Sequence, residues 1–255
     1  FIRKILINYD IIHVHLPNPL AEIYLLLAKE KINNLSVHFH ADVSSKFGYR
    51  FYEPIQKRIL NKAKGIITTT ESLSKSKHLK KVSEKIHVIP AYLSNKDYLV
   101  ENFNDEKKIR DKYKNFKFIV FIGRFAKYKN IDILINSYIK IKQKAKLILV
   151  GNGKEIKNIQ NMILSNKLEN NIFIEKDLND KEKKYLLNKA IFSVLPSTTS
   201  AESYGYVQVE SMAVGTPIIS FNIKDSGVSE INKNEVTGLS LEVGKDKSDT
   251  IRILF

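Results

Sequence analysis

The stretch PSTTSAESYGYVQVESMAVGTP, residues 196–217, reads as a junction between a strand and a helix. A strand ends at Pro196, a small polar loop carries Glu202, and Gly205 lets the backbone turn. A helix-like run then carries Glu210 before Gly215-Thr216-Pro217 stops it. Two carboxylates eight residues apart across a loop-to-helix junction can converge on one ligand. An isolated pair at this spacing means little, because any helix surface supplies one. Here the flanking strands and the Ser203-Tyr204-Gly205 turn strengthen it.

Outward from this junction, short β-branched runs alternate with amphipathic ones. Strands are expected at residues 10–16, 35–39, 65–70 and 85–90, with helices at 20–31, at 51–63 and from Glu71, where Thr70 serves as N-cap. Residues 91–115 lose the rhythm and are polar and charged. They place a linker at 96–115, between a first domain at 1–95 and a second at 116–255. The pattern restarts with strands at 116–122, 145–150, 172–174, 192–195, 217–221 and 238–243, and helices at 130–143, 155–166 and 180–189. Beyond Gly244 the text is too short to read. Such alternation means parallel sheets covered on both faces. The fold class is therefore α/β, two Rossmann-like doubly wound domains with a cleft between them. Ligands of such sheets bind beyond the carboxyl ends of the strands, and His40, Arg124, Gly151, Pro196 and Glu202 all fall there.

The chain has 255 residues, 43% hydrophobic and 27% charged, the balance of a soluble globular protein able to bury a sizeable core. No run approaches the roughly 18 apolar residues of a spanning helix. There is no Cys, which excludes a disulfide framework and fits a reducing cytoplasm, the expected location. The net charge of +15 comes from scattered lysines. It reads as a solvated Lys-rich surface, as attraction to an anionic membrane surface, or as attraction to nucleic acid. Nucleic acid is the weakest of the three, because the aromatics fall at core spacings and are not interleaved with the basic residues.

Several smaller patterns carry chemistry. Gly123-Arg124-Phe125-Ala126-Lys127-Tyr128-Lys129-Asn130 puts two cations, Arg124 and Lys129, between a strand and a helix start, where they suit phosphate oxygens. Gly151-Asn152-Gly153 allows close backbone approach but is not a full dinucleotide fingerprint, and a tight turn explains it equally. The pairs His13/His15 and His38/His40 each lie on one strand face. A four-His metal cluster is one reading, and satisfied core or strand-end residues the other. His40, which ends its strand before Ala41-Asp42, is expected to project into the cleft.

Taken together, these residues resemble the family-4 retaining glycosyltransferases, whose fold is GT-B. The resemblance rests on Phe121-Ile122-Gly123-Arg124 with Lys129 to Ile135, on Val150-Gly151-Asn152-Gly153, on Pro196-Ser197, on Glu202-Ser203-Tyr204-Gly205, on Glu210 to Pro217, and on Val236-Thr237-Gly238-Leu239. The first half matches through DIIHVH, HFHAD and KIHVIP, and looks most like bacterial surface-polysaccharide transferases. The resemblance implies a nucleotide-sugar donor, UDP- or GDP-linked, bound as substrate with no cofactor and no metal. Arg124 and Lys129 would neutralise its diphosphate, and Glu202 would accept from sugar hydroxyls. Glu210 would accept from the ribose, and His40 would reach the donor sugar. Gly123, Gly151, Asn152, Gly153, Tyr204, Gly205 and Tyr206 would line the rest of the donor site.

The implied acceptor is a glycan or lipid-linked oligosaccharide of lipopolysaccharide, O-antigen or capsule type, met at the inner face of the plasma membrane. Glu175 stands where the family commonly has a small residue beside the base. The family's Gly-rich opening and its closing helices have no counterpart here. A chain truncated at both ends, weak in nucleotide binding and poor in turnover, is therefore expected. A non-catalytic nucleotide-sugar-binding or scaffold protein of the same fold is the alternative.

Overall fold

The strand LSVHF buries Leu35, Val37 and Phe39 while Ser36 and His38 face the opposite side half-covered, the alternation of a sheet with one sealed face. It is the second strand of the first domain in the computed structural model, which describes residues 9–28, 34–42, 48–94, 106–140 and 145–243. Four parallel strands, β1 (Ile12–Leu16), β2 (Leu35–Phe39), β3 (Gly65–Thr68) and β4 (Ile86–Val88), lie side by side in chain order. Helices α1 (Pro19–Leu27) and α2 (Tyr49–Lys62) pack against each other. Asn18 caps α1 through Oδ1, with Pro19 at the first helical position. The expected cap is present as well: Thr70 Oγ1 accepts from the Leu73 amide at 3.2 Å and opens the short helix α3 (Glu71–Ser74). Val37, Phe39, Ile59, Leu60 and Ile66 form the heart of this domain's core.

The second domain begins earlier than the lost rhythm suggested. Of the segment 96–115 read as linker, residues 96–105 lie outside those described, but Lys107–Tyr113 forms helix α4. Its Ile109 and Tyr113 are 3% and 1% exposed and belong to the second domain's core. Only two apolar side chains in a highly charged turn carry this helix, which is why its sequence looks like a connector. The tail from Gly244 onward likewise lies outside the described residues.

Six parallel strands follow: β5 (Phe118–Ile122), β6 (Lys146–Val150), β7 (Ile172–Glu175), β8 (Ser193–Leu195), β9 (Ile218–Phe221) and β10 (Gly238–Leu241). Between them run α5 (Ile131–Lys140), α6 (Ile156–Ser165), α7 (Asp180–Lys189), α8 (Tyr206–Ala213) and α9 (Val228–Ile231). FIVFI in β5 shows why the sheet is covered on both sides. Phe118 and Val120 enter one core cluster, and Ile119 and Phe121 the other. Asn179 and Glu182 form a reciprocal capping box at α7.

The order across this sheet is β10-β9-β8-β5-β6-β7. The chain winds outward from β5 to β7, returns, and winds the other way from β8 to β10. The reversal opens a crevice between β5 and β8, at the carboxyl ends of two neighbouring strands that send their loops in opposite directions. No helix among the described residues is long and apolar enough to cross a membrane.

Candidate functional site

Both loops bordering that crevice carry charge. After β5 the chain passes Arg124 and makes a single 3-10 turn, Lys127–Lys129, which ends at Asn130 with φ 50°. Asn is among the few residues other than Gly that adopt this left-handed conformation readily. Its Nδ2 donates to the Pro196 carbonyl at 3.2 Å and to Thr198 Oγ1 at 2.8 Å, tying this loop to the one that follows β8.

Lys129 and Glu202 meet beneath that tie. Nζ lies 2.5 Å from Oε2, and the residues are 8% and 6% exposed. Ser197 Oγ donates to the same carboxylate oxygen at 2.8 Å, and Ser226 Oγ donates to the Glu202 carbonyl. Two opposite charges thus satisfy one another where water has little access, which is what makes burying either one tolerable. Asn130 and Ser197 fall inside motifs of the sequence that gave them no role of their own, and Ser226 lies in none. Asn130 reads there only as a helix start, and the serines lie in loops rich in similar residues.

Arg124, by contrast, is exposed, and among the described residues its guanidinium has no hydrogen-bond or ion-pair partner. The crevice therefore has one internally balanced cation and one that faces outward.

The Gly151-Asn152-Gly153 turn packs against the loop that carries Arg124. A Cβ on Gly151, at φ 142°, would stand 2.0 Å from the Gly123 carbonyl oxygen, and one on Gly153, at φ 155°, would stand 2.3 Å from that of Phe125. The main chains of the two loops are bonded there, Gly123 N to Val150 O at 3.0 Å and Phe125 N to Asn152 O at 2.8 Å. The close approach these glycines permit is between two loops of the protein itself, and it fixes the position of Arg124.

Helix α8 starts at Gly205, whose φ is 73°, and no side chain caps its first turn. Its open amides form a positive helix end beside the crevice. Tyr204 is 6% exposed and Tyr206 is 52% exposed, with ring centroids 4.9 Å apart. Glu210 is half-buried one turn beyond Tyr206 on the same helix face. Glu175 accepts from Lys112 Nζ at 2.5 Å and from the Tyr113 hydroxyl, and so holds α4 against β7.

His40 sits apart from these groups. Its ring stacks on His38 at 4.0 Å between centroids, and its Nε2 is 2.7 Å from Nδ1 of His15. Burial and the neighbouring His15 and His13 lower its pKa. Burial, then the charges of His40, His15 and His13, push His38 down to about 4. Among the described residues no hydrogen bond or ion pair joins His40 to Lys129 or Glu202.

The two domains are tied at other points. The Tyr204 hydroxyl donates to the Ala91 carbonyl at 2.9 Å. The Glu230 carboxylate accepts from the amides of Glu71, at 2.9 Å, and Ser72. A cavity of about 340 Å³ lies between the domains, lined by Asp42, Lys75, Lys77 and Lys80 on one side and by Ser200 and Asp225 on the other.

Comparison with known proteins agrees with this layout. Residues 102–253 match the family described as glycosyl transferases group 1, and residues 1–91 match glycosyltransferase family 4. The O-antigen chain mannosyltransferase C of Escherichia coli is 28% identical over 240 residues, covering 92% of this chain and 62% of the relative. The N-acetyl-alpha-D-glucosaminyl L-malate synthase of Bacillus anthracis is 26% identical over 245 residues, covering 93% and 62%. The chain thus spans less than two thirds of the length of these relatives. In fold it is similar to Anabaena HepE in complex with UDP (TM-score 0.81, 20% identity, 99% of this chain and 70% of that one). It is also similar to the sucrose-phosphate synthase of Thermosynechococcus elongatus (TM-score 0.76, 21% identity, 97% and 64%).

Proposed function

Because the chain belongs to the glycosyl transferases group 1 family, we propose that it moves a sugar from a UDP- or GDP-linked donor to a growing surface glycan on a lipid-linked acceptor, with retention of configuration. The observation that carries this reading is the Lys129–Glu202 pair, buried at the reversal of the second sheet. A donor diphosphate entering there meets the exposed Arg124 and the open amides of α8. Phosphate oxygens compete for the Lys129 ammonium, and the Glu202 carboxylate released from it accepts from hydroxyls of the donor sugar. Glu210 accepts from the ribose. His40 contacts the donor sugar from the facing domain.

The bond from the anomeric carbon to the phosphate oxygen breaks while the bond to the acceptor oxygen forms on the same face. The acceptor's proton passes to the departing phosphate. Arg124 and Lys129 stabilise the charge growing on that phosphate, a role preorganised cations fill without a metal ion. Glu202 has no part as a nucleophile in this scheme, because its partners hold it for binding. The name of one relative, the O-antigen chain mannosyltransferase C of Escherichia coli, supports a surface-glycan acceptor. The excess of lysine suits approach to an anionic lipid surface at the cytoplasmic side of the membrane.

Calorimetric titration of the chain with UDP- and GDP-sugars tests the reading. One nucleotide series is expected to bind, and R124A to lose most of that affinity. Binding of neither series, or equal binding by R124A, overturns the donor site.

A further inference from the structure

We propose that His13, His15 and His38 form a binding site for a divalent transition metal of the zinc class. The site follows from strand geometry. His13 and His15 are two apart on β1 and so project from one face, and the parallel register sets His15 beside His38 and His13 beside Ser36. One ring nitrogen from each of the three lies within 4.8 Å of one from each of the others. Three imidazole nitrogens around a tetrahedral zinc ion sit about 3.4 Å apart, given zinc–nitrogen bonds near 2.0–2.1 Å. Small side-chain rotations close that gap.

Two further features point to a ligand. Nδ1 of His13 is 3.0 Å from Ser36 Oγ, and Nδ1 of His15 is 2.7 Å from Nε2 of His40. Metal-bound histidines use their second nitrogen in this way, which fixes the tautomer and aims the ring. The third ring is left short: Nε2 of His38 is buried and has no hydrogen-bond partner. A buried polar atom without a partner is uncommon, and an ion held jointly with His13 and His15 satisfies it.

All three donors are imidazoles and the chain has no Cys, which favours zinc-like ions over magnesium or calcium and over thiolate chemistry. His13 and His15 are exposed, so the fourth position opens to solvent and takes water or an oxygen ligand. The site lies on the first sheet and is separate from the cations that serve the diphosphate. An ion on Nε2 of His15 makes its Nδ1 the donor to His40, and His40 then carries its own proton on Nδ1.

The test is a cobalt titration of tag-free, metal-stripped protein. One ion per chain is expected, with the intense visible absorption of a four-coordinate site. H13A and H15A should each weaken binding by at least about tenfold, and S36A by a similar factor through the lost outer contact. H87A, on β4, should leave binding unchanged. H15A is an exposed substitution, so it keeps the test decisive if H38Q fails to fold. The proposal is overturned if cobalt keeps the pale spectrum of the hydrated ion, or if H15A and H13A bind as tightly as the parent.

Discussion

Lys129 Nζ lies 2.5 Å from Glu202 Oε2 and joins two loops whose parent strands, β5 and β8, are neighbours wound in opposite senses. Removing one partner leaves the other charged and buried. K129M should therefore lose about 3–5 kcal/mol of stability, and E202Q a comparable amount. The double variant K129M/E202Q should recover most of that loss. Urea denaturation of the two single variants and the pair measures the coupling, and additive losses would show that the two charges do not depend on each other.

Arg124 has the opposite character. R124A should leave the urea midpoint nearly unchanged, as surface substitutions do, within about 0.5 kcal/mol. The same change should weaken UDP or GDP binding roughly 10- to 100-fold, the worth of a hydrogen bond to a charged group. A variant that loses stability without losing nucleotide would give Arg124 a structural role in place of a binding one.

Gly151 is predicted to be intolerant of any side chain. A Cβ there would stand 2.0 Å from the Gly123 carbonyl oxygen, at a φ of 142° that L residues avoid. G151A should cost about 2–3 kcal/mol, and it should displace Arg124 with the loop that carries it. A thermal melt and a nucleotide titration on the same sample check both effects. G215A is the comparison: its φ of 76° is strained, but its Cβ position is open.

Glu22 supplies a pH dependence. Burial raises its pKa above the ordinary glutamate value, outweighing the bonds it accepts from the Tyr52 hydroxyl and the Asn18 amide. The folded state therefore holds this proton more tightly than the unfolded chain does. Stability from this group is complete below pH 4.5 and declines as pH rises through the raised value. E22Q should flatten that part of the profile, as measured by denaturation at stepped pH. An unchanged slope would remove Glu22 as its source.

Much of this architecture was readable in the chain. Runs such as FIVFI and KLILV are too uniformly apolar for anything but strands sealed on both sides, and glycine-marked strand ends predicted where the loops would gather. What escaped reading was pairing at long range. Lys129 and Glu202 are 73 positions apart, and no local pattern says that they meet. Helix α4 was missed because its stability comes from Ile109 and Tyr113 docking into a distant core, and not from its own propensity. The binding role looked for at Gly151 and Gly153 had a second explanation that only the packing of two loops reveals.

The ties between the domains have an evolutionary consequence. Tyr204 holds the carbonyl of Ala91, and Glu230 holds the amides of Glu71 and Ser72. In each case the second domain supplies the side chain and the first supplies only main chain. Substitutions in the first domain can therefore accumulate without cutting these ties, provided its backbone keeps its course. The exception is Thr70, whose side chain packs beside Gly227 of the second domain, so drift at that position is constrained where drift around Ala91 is not.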